Sequence, residues 1–194
     1  MSSQEESFSK GDWIVHAHYG VGQVKRREKK VLEGDKKTFF RVKTFDGVYW
    51  LPVKNTATPR IRRLASEYQI KKALSLIRKP PVELPKDHKR RGKQITETLK
   101  DGSLYTIAKI IRDLHGRKVT VSLNQTEISL LEKITDRFLD EWSVVKGEEV
   151  EVLAEKLNQA LQKSIENAED GENKTWLEKV RNGVKGRRKT KNTN

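Results

Sequence analysis

The sequence predicts a β + α protein of two domains: a small SH3/Tudor-like antiparallel β-barrel followed by an all-α helical domain. Three observations carry that prediction. Up to about residue 64, short runs of alternating residues are punctuated by Gly, Asp and Pro; from Ser66 onward, apolar residues recur with a period near 3.6. The 194 residues suffice for one domain or two small ones, at roughly 100–200 residues per domain. Only 34% of residues are hydrophobic and 35% are charged, against roughly 45–50% and about 25% in ordinary globular chains, so each core must be small. The bounds fall at residues 1–64 for the barrel and 65–168 for the helices, with a basic, disordered tail over 169–194.

Within the barrel, Trp13-Ile14-Val15 is the first strand. The Gly20-x-Gly22 pair suits a tight bend, and Val21–Arg27 follows it as the second strand. Glu33-Gly34-Asp35 has the composition of a hairpin turn leading into Thr38–Thr44, where Phe39, Arg41 and Lys43 alternate with Phe40, Val42 and Thr44. Asp46-Gly47 is the strongest short hairpin signal in the chain, and Val48–Leu51 follows until Pro52 closes the run. Pro59–Arg63 adds a last edge strand. Five such short strands have too little area for a sandwich, which leaves a strongly bent barrel.

In the second half, Ser66 is placed to cap a helix with Ile70, Ala73, Leu74 and Ile77 on one face. Pro80 and Pro81 end it, and Pro80–Pro85 reads as an extended link. Asp87 caps a second helix holding Ile95 and Leu99, which stops near Asp101-Gly102. Ser103 caps a third, with Leu104, Ile107, Ile111 and Leu114 on one face and Gly116 at its end. Asn124 and Glu127 have capping-box spacing and open a helix carrying Leu131, Ile134, Phe138 and Trp142. A fifth runs from about Glu148 to Glu166 on Val150, Leu153, Leu157 and Leu161. Past Ala168 there is little to bury, and only a transient helix around Trp176 is expected.

Charge is distributed unevenly. Lys and Arg number 41 against 27 Asp and Glu, a formal net charge of +14. Residues 1–60 carry 12 basic and 7 acidic side chains, 61–147 carry 19 and 11, 148–178 carry 3 and 9, and 179–194 carry 7 and none. A basic body, an acidic segment and a basic tail point to a polyanionic partner, with nucleic acid the default. The absence of Cys excludes disulfides, thiolate metal sites and Cys nucleophiles. With no 18-residue apolar run and no signal-like N-terminus, a soluble, cytoplasmic, monomeric protein away from membranes is expected. His16-x-His18 on a strand would turn both rings to one face, but no third ligand is suitably spaced, so no metal or other cofactor is expected. Phosphate-loop, dinucleotide, zinc-protease and nucleophile-elbow patterns are all missing, and no catalytic constellation appears.

What remains is Lys86-Asp87-His88-Lys89-Arg90-Arg91-Gly92-Lys93, five Lys or Arg and one acid at the start of a helix. Free backbone N–H groups there favour a phosphate, whereas cations oppose the helix dipole. A bound anion explains that arrangement better than stability does. No base-reading pattern is evident, so phosphate contact rather than sequence readout is expected. A solvated basic turn is the plainer alternative.

Phe8-x-x-Gly11-Asp12-x-Ile14-Val15-His16-x-x-x-Gly20-Val21-Gly22, then Phe39-Phe40 and Leu51-Pro52-Val53, resembles the opening of the CarD/CdnL family and the equivalent module of the transcription-repair coupling factor. Lys86–Lys93, Lys100-Asp101-Gly102-Ser103, Ile111-Arg112-Asp113-Leu114 and Leu130-Leu131-Glu132-Lys133 resemble that family's helical domain. The resemblance spans residues 8–165 and lacks any helicase motif. It implies a transcription regulator, not an enzyme, whose barrel binds the RNA polymerase β subunit along a sheet edge. Its helical domain would bind promoter DNA at the upstream edge of the bubble and stabilise the open complex. By position in the family, Lys30, Leu32 and Trp50 would touch polymerase and Arg90, Arg91 and Lys93 would touch phosphate, with His88 and Lys89 completing the expected DNA-binding set. Where the family has a wedge Trp, this chain has His88, and a second basic family position is Ile128. Read from the sequence alone, Trp50 could instead pack in the barrel. The rival function is a general nucleic-acid-binding or ribosome-associated protein using the same basic surface.

Overall fold

The computed structural model describes residues 8–32, 35–56, 58 and 60–170. It divides into two compact units, one taking in the chain to Ser66 together with Lys100–Gly102, the other the remaining helical part.

The first unit is an antiparallel sheet of β1 (Trp13–His16), β2 (Gly20–Leu32), β3 (Asp35–Thr44), β4 (Val48–Pro52) and β5 (Ile61–Arg63), in the order β4-β3-β2-β1-β5. Every predicted strand is present. The glycine bend is realised at Gly20, whose φ of 72° opens β2. Along the β2–β3 pair the register shifts between Val24 and Arg26, a bulge that sharpens the local twist. In a flat sheet β1 and β4 would stand three strand spacings, ~14 Å, apart. Here the His16 ring of β1 lies 5.5 Å from the Tyr49 ring of β4. The sheet is therefore curled, as a Tudor-like barrel requires. Its core is Phe8, Ile14, Val24, Phe40, Val42, Tyr49, Leu51 and Ile61, one cluster fed by all five strands. Phe8 seals it: its ring meets Phe40 edge-on at 6.3 Å, with the Arg63 guanidinium 5.5 Å from its centroid.

Two expectations for this unit change. The β2–β3 hairpin runs well past the predicted ends at Arg27 and Thr38, pairing down to Leu32↔Asp35, with Glu33 and Gly34 outside the described residues. Lys29, Lys36 and Lys37 are exposed there and bury nothing. The ladder hydrogen bonds continue where apolar alternation has stopped, so periodicity could not show it. His16 and His18 do not share a strand face either. β1 ends at His16, whose Nδ1 accepts the backbone N–H groups of His18 (3.0 Å) and Tyr19 (3.3 Å) in the following turn.

The second unit contains α1 (Glu67–Ile77), α2 (His88–Leu99), α3 (Leu104–Thr120), α4 (Gln125–Lys146) and α5 (Val150–Asp170). Sequence caps do what their chemistry predicts. Ser103 Oγ accepts the Thr106 N–H at 3.1 Å, and Asn124 with Glu127 forms a complete capping box. α3 is the central helix, buried on most sides and packed against α1, α2, α4 and α5. Its Arg112 and Asp113 are both buried and pair at 2.7 Å. Arg112 donates to the Leu76 carbonyl and Asp113 accepts the Val82 N–H, which fixes the end of α1 and the link after it. Two helices run past their predicted ends. α3 does not stop at Gly116 but continues to Thr120, and α5 runs past Glu166 to Asp170. In α5, Ser164 donates to the Lys79 carbonyl and Asn167 to that of Arg78, satisfying the two carbonyls just past the end of α1. Residues 171–194, with the expected helix around Trp176, lie outside the described residues.

Candidate functional site

Two surfaces carry the predicted site residues, one on each unit.

On the first unit, β4 ends the sheet and among the described residues pairs only with β3. Trp50 sits on this edge strand, 42% exposed, which excludes core packing as its role. Its indole is fixed from two sides. Nε1 donates to Glu28 Oε2 at 2.7 Å, and Lys30 Nζ lies over the ring, 3.3 Å from its centroid. Glu28 also holds Arg26 at 2.7 Å and faces Arg41 at 3.9 Å. The Trp50 hydrogen bond, then that of Arg26, holds the Glu28 carboxyl below its ordinary range. Arg26, Glu28 and Lys30 are at alternate positions of β2, so they share one face, and Arg41 pairs across to Trp50 in register. The result is a rigid aromatic platform rimmed by cations. Of the predicted residues, Lys30 and Trp50 are brought together; Leu32 ends β2 beyond them, and its backbone pairs with Asp35. Glu28 was missed by sequence reasoning. Its signal was the Arg-x-Glu-x-Lys alternation, hidden because β2 seemed to stop at Arg27.

On the second unit, His88, Lys89, Arg90 and Lys93 are exposed at the start of α2. Asp87 caps this helix: its Oδ1 accepts the Arg90 N–H at 2.8 Å. The chain's own carboxylate thus offsets part of the dipole penalty that the neighbouring cations incur, and a bound anion is not needed to explain them. Arg91 departs from the expectation altogether. It is 3% exposed, with Nε on the Glu127 carboxylate and Nη1 on the carbonyls of Pro85 (2.6 Å) and Lys86 (2.8 Å). A guanidinium so enclosed cannot reach a phosphate. The signal was available: Arg91, Ile95 and Leu99 are spaced by four, so the arginine falls on the apolar stripe of α2. Glu127 also faces Arg117 at 3.8 Å, and burial, then the charge of Arg91, lowers the pKa of Arg117. Ile128, beside Glu127 on α4, is half-buried.

Among the described residues no cluster of three His, Asp or Glu could hold a metal ion, and no helix is long and apolar enough to cross a membrane.

Comparison with known proteins follows the same division. Residues 8–65 match the family model of the CarD-like/TRCF RID domain, and residues 72–158 match that of the CarD C-terminal domain. The candidate transcription factor YdeB of Bacillus subtilis (strain 168) is 24% identical over 142 residues, 72% of this chain and 93% of that protein. With a Tudor-like sheet and the helical domain matched in family order, the chain belongs to the CarD-like family of transcription regulators.

Proposed function

We propose that the protein binds the RNA polymerase β subunit through the edge of its N-terminal sheet and promoter DNA through the start of α2, and so stabilises the open complex. The observation that supports this most is Trp50, an exposed aromatic immobilised on an edge strand of a domain matched as CarD-like/TRCF RID. Aromatic anchors dominate interfaces, and an open edge offers backbone hydrogen bonds to a partner strand. Lys30 and Leu32 extend the same contact. On the DNA side the contacting set is His88, Lys89, Arg90 and Lys93, with Arg91 removed because it is buried. Residues up to about 64 serve as the polymerase domain and the helices to Asp170 as the DNA domain, in a cytoplasmic monomer. The polymerase tether raises the local concentration of a weak DNA binder. Preferential affinity for melted promoter then shifts the closed-to-open equilibrium by the difference in affinity and no more.

The test is titration of the full-length protein against isolated polymerase β subunit. Trp50→Ala should weaken binding about tenfold or more, as expected for a buried aromatic anchor of roughly 2 kcal/mol. Leu32→Glu should weaken it too, by desolvating a charge at the contact. If both variants fold and bind like wild type, the function is instead that of a general nucleic-acid or ribosome-associated protein.

A further inference from the structure

We propose that Arg91 is a positioning residue for DNA binding: it presents the His88–Arg90 turn correctly without itself touching nucleic acid. The inference rests on the DNA assignment of α2 and goes beyond it, because it gives a buried residue control over the exposed ones.

The geometry supporting it is specific. The segment from Pro80 to Lys86 belongs to no helix or strand ladder, so its carbonyls have no regular backbone partner and side chains can supply hydrogen bonds to them. Arg91 supplies two of those bonds from one nitrogen, to Pro85 and Lys86, the residues leading into the DNA-facing turn. Its other edge is anchored on Glu127. Glu127 is itself buried and held: it is the reciprocal half of the capping box that starts α4, accepting the Asn124 N–H at 3.1 Å. Asp87, next in sequence, closes the helix by accepting the Arg90 N–H and, through its carbonyl, the Arg91 N–H at 3.0 Å. Residues 85, 86 and 87 are thus all tied down, two of them by Arg91 and through it to α4. Burying Arg91 and Ile95 one turn apart also fixes the rotation of α2 about its axis, and with it the direction in which Lys89, Arg90 and Lys93 project. Only a planar fork joins a carboxylate and two carbonyls in this way. A lysine ammonium is a point donor and would keep the charge pair while losing the carbonyl ties.

The experiment uses full-length Arg91→Lys, with binding to a mixed-sequence DNA duplex measured across a salt series. The expected result is affinity weakened roughly three- to tenfold, in the range by which remote residues modulate a site, at unchanged slope of log K against log [salt]. Arg90→Ala in parallel should lower that slope by about 0.9, one phosphate contact. Should Arg91→Lys fail to fold, Glu127→Gln removes the charged anchor while keeping an oxygen for Asn124, and the same pattern is expected. A purely structural Arg91 would lower the melting temperature yet leave affinity unchanged far below it, which overturns the proposal. A slope reduced by about 0.9 in Arg91→Lys overturns it too, since Arg91 would then be a phosphate contact. An unchanged slope in Arg90→Ala sinks a different claim, the DNA assignment of α2.

Discussion

His88 and Arg91 lie within one helical turn and face opposite environments, solvent for the first and the interior for the second. The family resemblance puts His88 forward as the counterpart of a wedge aromatic, which is a proposal. If it meets an unstacked base at the bubble edge, its contribution should track ring area, within the ~1–3 kcal/mol that base stacking supplies. His88→Trp should therefore lengthen open-complex half-life about fivefold, for roughly 1 kcal/mol of added stacking, and His88→Ala should shorten it. The measurement is promoter-complex dissociation at saturating protein, and unchanged lifetimes in both variants would remove His88 from the DNA contact. Both residues belong to one basic run in the sequence. That run could not say which cation turns inward, because a charge count carries no direction. Helical spacing did, since Arg91 stands four residues before the buried Ile95.

At the level of elements, starts were more legible than ends. Ser103, Asn124 with Glu127, and Asp87 cap helices by hydrogen bonds between neighbours in sequence, so composition reveals them. Gly116 was misleading for the opposite reason. A glycine after an apolar stripe has the signature of a helix end, but this one sits inside α3 because Pro81 packs on it. A Cβ there would lie 2.5 Å from Pro81 Cβ and 2.6 Å from its Cγ. That neighbour is remote in sequence, and no local pattern encodes it. Gly116→Ala sets a gain in helix propensity of about 1 kcal/mol against overpacking of roughly 1–3 kcal/mol. The collision is with a rigid ring, so overpacking should win and the thermal melting midpoint should fall. A raised midpoint would show that the link yields easily. The lengths of β2 and β3 were hidden likewise, since their outer residues continue the backbone pairing where apolar alternation has stopped.

For the molecule as a whole, net charge overstates the basic surface on offer. Arg91 and Arg112 are buried against carboxylates, Arg27 lies 5.0 Å from the Phe40 ring centroid, and Lys30 covers Trp50. Replacing Lys89, Arg90 and Lys93 together with Ala should lower the salt slope of DNA binding by roughly 2–3 while polymerase affinity stays at the wild-type value. Polymerase affinity falling in step would mean that the two contacts are not separable. The open edge of β4 has a bearing on the protein when its partner is scarce. An unpaired row of backbone donors and acceptors accepts any extended chain, including another copy, and such edges seed aggregates. Here the edge strand spans only Val48–Pro52, closes on a proline without an N–H, and lies beside cations that repel their like. Copies of the protein whose β4 edge is uncovered have only five residues to offer an incoming strand, too short a template to favour edge-to-edge stacking.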